Sequence, residues 1–209
     1  MGAPVRDLDR ALADIVEIRT QIAAGTSFRG LGPTALAATG LLALAVTGAQ
    51  SAWLRDPTGQ PLIFLGEWIA SAVVAVGIVG VEMLRRSRRH HSGLADAMIY
   101  NAVEHFLPAG AAGAFLALVF FRFAPEDLWM LPGLWQVLVS IGIFASVRSL
   151  PRPVALAGAW YFIAGLGVLM LSSRSHSMSA WTMGAPFIVG QLLMAAIIHL
   201  ASGDTDAQA

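Results

Sequence analysis

The chain has 209 residues, 56% of them hydrophobic and only 12% charged, with a formal net charge of zero. A soluble domain is about 25% charged, so the composition points to a membrane protein, and the neutral balance singles out no partner. No cysteine is present, which excludes disulfides, thiolate metal sites and lipoprotein anchoring, and without lysine a retinal-type Schiff base cannot form.

All 13 basic residues are Arg. Together with the abundance of Ala, this suggests a bacterial chain from a GC-rich genome. The first 25 residues contain no compact apolar run, so no cleavable leader is expected. In residues 5–24, Val5, Leu8, Leu12, Ile15, Ile18 and Ile22 recur at helical spacing. Asp7, Asp9, Asp14 and Glu17 mix with Arg6, Arg10 and Arg19 over the remaining surface. The pattern predicts a cytosolic amphipathic helix ended by Gly25. An isolated helix of this length is marginal in water and needs its apolar stripe covered. Membrane-surface helices carry a basic polar face, and this face is mixed. A cytosolic regulatory protein or self-association, meeting Leu8, Leu12, Ile15 and Ile22, is therefore expected beside two alternatives, the bilayer surface and the chain's own bundle.

Six apolar stretches follow: Pro33–Leu54, Leu62–Leu84, Ala97–Phe121, Leu128–Val147, Val154–Leu171 and Trp181–Leu200. About 20 residues suffice to cross a bilayer as helix, and none of the six alternates as a barrel strand would. The expected fold is all-α: a six-span bundle over 31–201, an N-terminal segment 1–30 and a disordered tail 202–209. Small residues at four-residue spacing (Ala35, Thr39, Ala43, Thr47 and Ser51; Gly66 and Ala70; Ser71 and Ala75; Ala155 and Ala159) read as helix-packing faces. Pro108 and Pro186 each strand one backbone carbonyl within a span.

Arginine sets the expected orientation. Ten Arg lie on the side of the termini, among them the run Arg85, Arg86, Arg88 and Arg89, against Arg55, Arg122 and Arg174 on the other. The positive-inside bias places both termini in the cytosol of a bacterial inner membrane. The basic run is accounted for as a topology determinant, and direct nucleic-acid binding is not expected. Trp53, Trp68, Trp129, Trp135 and Trp181 fall at or near predicted outer ends, as an interfacial belt would.

Ionisable groups inside spans are costly and mark function by default. At about 100° per residue, Asn101, Glu104, His105 and Pro108 share one arc of the third span. Glu82 and His199 lie near the cytosolic ends of their own spans. Were these helices neighbours, two carboxylates and two imidazoles would suit a divalent metal, or the imidazoles a haem. A Glu–His pair could also relay protons, and mutual satisfaction within the bundle explains the same residues without any ligand. No nucleotide loop, nucleophile elbow or zincin helix is present, so an enzyme is not the favoured class.

The stretch Thr26-Ser27-Phe28-Arg29-Gly30-Leu31-Gly32, between the amphipathic helix and the first span, resembles a family of uncharacterised small bacterial membrane proteins. In that family a cytosolic helix leads through a Thr/Ser-aromatic-Gly/Pro turn into six spans, the last ending with a His similar to His199. The family's frequent proximity to winged-helix regulators implies signalling, and it carries no catalytic residue over. The expectation is a sensor or scaffold that binds a small ligand, lipid or metal in the bundle and a partner through residues 5–24. A small transporter or proton-coupled protein using Glu104 and His105, or a haem- or metal-dependent redox protein, stands as the alternative.

Overall fold

The computed structural model describes residues 32–89, 94–147 and 150–206, apart from the side chains of 86–89, 94–103, 105 and 202–206. The helix expected over 5–24, with Leu8, Leu12, Ile15 and Ile22, lies outside the described residues. So do the turn at 26–31, His90, His91 and Arg148.

Among the described residues there are six α-helices: α1 (Pro33–Trp53), α2 (Pro61–Arg89), α3 (Leu94–Phe123), α4 (Leu131–Ser146), α5 (Val154–Ser172) and α6 (Ala180–Asp206). A 3-10 helix, Pro125–Met130, leads into α4. All six spans are long and apolar enough to cross a membrane, and there is no strand among the described residues. Proline marks several starts: Pro33 and Pro61 open α1 and α2, and Pro132 occupies the first turn of α4. There the missing N–H would have had no helical partner in any case. The fourth span was expected from Leu128; its first residues are 3-10 and its α-helix begins at Leu131. The helix α6 runs through Asp206, into the segment assigned from sequence to the tail.

Contacts order the helices as an arc, α2–α1–α6–α5–α4–α3. The first and last helices, α1 and α6, pack most extensively, and the α4–α5 hairpin nearly as much. In lipid no hydrophobic force drives helices together, so close approach and hydrogen bonds must hold them. Both are visible. A Cβ added at Gly184 of α6 would strike Thr47 of α1, and one at Gly133 of α4 would lie 2.8 Å from the carbonyl oxygen of Gly165 in α5. Buried Gln50 of α1 ties down α2: its amide donates to the Phe64 carbonyl (3.1 Å) and its Oε1 accepts from Trp68 Nε1 (3.0 Å).

The three short connections at the end away from the termini gather together. The backbone N–H of Met178 donates to Thr58 Oγ1 at 3.0 Å, and His176 stacks on Trp129 with ring centroids 4.8 Å apart. Beneath them an apolar cluster includes Leu54, Phe64, Leu65, Trp68, Trp129 and Leu131. This corrects the tryptophan belt. Trp53 and Trp181 are more than half exposed, whereas Trp68 and Trp129 are buried inside that cluster. A second cluster at the other end joins Leu36, Ile143, Val154, Tyr161 and Ile198. Large apolar side chains such as Leu41, Phe115, Phe123, Ile163, Met170 and Leu171 face outward, a surface suited to hydrocarbon rather than water.

Candidate functional site

The two ends of the arc, α2 and α3, make few contacts with each other. Only 17% of the α2 span and 11% of the α3 span is buried, against 33–44% for the other four. Between them lies a cavity of about 570 Å³, within the range of about 300–1,000 Å³ common to small-molecule sites. α1, α4 and α6 close its back with Thr39, Ala43, Trp135, Leu138, Met183, Phe187 and Gln191.

Its side walls are built from small residues. Ser71, Ala72 and Ala75 of α2 and Ala109, Gly110, Gly113 and Ala114 of α3 line it. The Ser71/Ala75 pair was expected to pack against a helix and borders the cavity instead. Nothing lies within 4 Å of where a Gly110 Cβ would stand, so the missing side chain leaves open volume. Gly113 plays another part: its carbonyl accepts from Trp135 Nε1 at 3.1 Å, which holds the indole against α3. At the other end Phe106 lies over Gly142, whose added Cβ would come within 2.9 Å of the ring.

Among the described residues no ionisable side chain lines the cavity. Its indole donors are spent on Gln50 and Gly113. The polar side chains left are Thr39, Ser71 and Gln191. Gln191 joins three helices: Thr39 Oγ1 of α1 lies 3.0 Å from its Oε1, and the Tyr161 hydroxyl of α5 lies 3.3 Å from its Nε2. Gly190 makes the second contact possible, since a Cβ there would collide with the phenol. Phe187 sits between the rings of Tyr161 and Trp68, at centroid distances of 5.3 and 6.3 Å. The result is an apolar chamber with one polar corner.

Glu82, Glu104 and His199, singled out from sequence, are not among the residues that line the cavity. Glu104 and His199 are exposed, and Glu82 is half-buried with an interaction of its own. The side chains of Asn101 and His105 lie outside the described residues. Among the described residues no group of three or more His, Cys, Asp or Glu could hold a metal ion. Arg85 is exposed at the end of the bundle that carries the termini, while the side chains of Arg86, Arg88 and Arg89 are not described.

Charge marks the candidates in the sequence, and no described side chain brings charge to this cavity. The signal available was the density of Ala and Gly at 109–117 and 70–80, paired with aromatic residues on other spans. The chain matches no protein-family model, no curated protein and no solved structure, so the geometry of the cavity alone speaks for its use.

Proposed function

We propose that this chain is a non-enzymatic, multi-pass protein of a bacterial inner membrane that binds a lipid-like molecule between α2 and α3. Both termini face the cytosol, and residues 5–24 report occupancy to a cytosolic partner. The observation that supports the reading is the uncharged cavity between two helices that hardly touch. A ligand dissolved in the bilayer reaches such a site sideways, without crossing water. The arginine asymmetry supports the orientation, and the apolar stripe of Leu8, Leu12, Ile15 and Ile22 supports the partner.

Trp68 and Trp135 border the cavity, so their fluorescence reports on it. The purified full chain in mild detergent is titrated with bromoalkyl probes, whose bromine quenches nearby indoles. Saturable quenching is expected, and it should be lost in Gly110→Phe and Ala114→Phe, which fill the chamber. Gly77→Phe, where nothing lies within 4 Å of the added Cβ and which is not part of the lining, should leave it intact. Quenching that never saturates, or that survives both fillings, rules out a bound ligand at this place.

A further inference from the structure

The polar corner narrows the class of ligand. This step rests on the reading of the cavity as a lipid site. Gln191 offers one carbonyl oxygen and two amide hydrogens. It has two protein partners: the Thr39 hydroxyl on one side and the Tyr161 hydroxyl on the other. Amide oxygen and nitrogen are assigned from such networks and can be exchanged. In the arrangement observed, Nε2 donates once, to Tyr161. With the amide turned over, Nε2 donates to Thr39, whose own hydrogen goes to the Leu36 carbonyl at 2.8 Å, and Oε1 accepts from Tyr161. In both cases one N–H of Gln191 has no acceptor among the described residues, on a side chain that lines the chamber.

Gln191 is half-buried among apolar lining residues, and a donor drawn out of water there without an acceptor is costly. Among the described residues no acidic side chain lines the cavity, so none of them supplies a carboxylate to take it. A phosphate or carboxylate headgroup would bring a charge into this space with no cation among the lining residues to meet it. The described lining therefore suits a neutral ligand that carries an acceptor.

We infer that the cavity takes an uncharged, single-chain lipid bearing one oxygen acceptor, a carbonyl or hydroxyl, which receives the spare N–H of Gln191 while the hydrocarbon chain lies along the small-residue walls of α2 and α3.

Four probes of equal chain length test this by indole quenching of the full chain in mild detergent: bromododecane, ω-bromododecanol, ω-bromododecan-2-one and ω-bromododecanoate. One net hydrogen bond is worth about 1 kcal/mol, or roughly fivefold in affinity. The alcohol and ketone should half-saturate at about fivefold lower mole fraction than bromododecane, with the carboxylate weakest at neutral pH. In Gln191→Leu the alcohol and ketone should fall to the level of bromododecane or below it, while bromododecane itself is unaffected. The order of the probes on the unaltered protein decides the matter even if Gln191→Leu fails to fold. A parent protein that binds bromododecane as tightly as the alcohol, or the carboxylate most tightly, overturns the inference but leaves a lipid site standing. So does a preference for oxygen that persists in Gln191→Leu. If no probe quenches saturably, the lipid site itself falls.

Discussion

Pro186 removes a backbone donor from α6, and the acceptor it strands is the carbonyl of Thr182. Gln136 of α4 supplies the missing hydrogen, with Nε2 2.9 Å from that oxygen. One residue thus repairs a defect in another helix. Trp160 adds a bond from α5 to the Pro186 carbonyl itself, also 2.9 Å. The stranded carbonyl was legible in the sequence, since proline guarantees it; its partner was not, because nothing local ties position 136 to position 182. The repair can be read in a double-mutant cycle. Restoring the helical donor with Pro186→Ala should make Gln136→Leu cheaper than it is in the parent, by about 1 kcal/mol. Thermal unfolding in detergent measures all four corners, and additive effects would mean that the bond carries no energy. Gln50 offers a second case. It serves the Phe64 carbonyl and the Trp68 indole together, so Gln50→Leu should destabilise by about 1–2 kcal/mol and widen Trp68 motion. The Trp68 emission maximum and the melting temperature should move together.

Between helices, tolerance to added volume varies sharply with position. At Gly165 a Cβ would lie 2.7 Å from the Gly133 carbonyl oxygen and 3.0 Å from the Val137 nitrogen, atoms that cannot step aside. At Gly77 it would meet nothing within 4 Å. Gly165→Leu should therefore part the α4–α5 hairpin at a cost above the about 1–3 kcal/mol of ordinary overpacking, while Gly77→Leu should be harmless. The monodisperse fraction on size exclusion tells them apart, and equal yields would count against the close approach. The existence and order of the six helices were legible, because length and apolarity alone specify a span. Which faces meet was legible only in part. Thr39, Ala43 and Thr47 are buried as the four-residue stripe predicts. Ser71 and Ala75 carry the same pattern and border the cavity. Small side chains permit close approach but do not compel it.

The described helices form an arc held chiefly by the α1–α6 and α4–α5 pairs and, at the end away from the termini, by gathered turns. The molecule's proposed orientation rests on the arginine distribution, and the absence of native cysteine makes that testable without background. A cysteine placed at Ser175, exposed in the α5–α6 turn, should react with a membrane-impermeant maleimide in intact cells. One at Arg152, exposed on the opposite connection, should react only after lysis. The reverse pattern inverts the topology and with it the cytosolic placement of residues 5–24. The cavity was not legible at this scale, because it arises from two helices that stay apart, and hydropathy describes each helix singly. That separation of α2 and α3 has a consequence for how the protein responds. A site entered from the hydrocarbon layer is filled according to the ligand's mole fraction among membrane lipids, not its concentration in water. Occupancy would then be indifferent to cell volume and sensitive to bilayer composition, so two solutes of equal aqueous abundance would be told apart by how strongly each dissolves in the membrane.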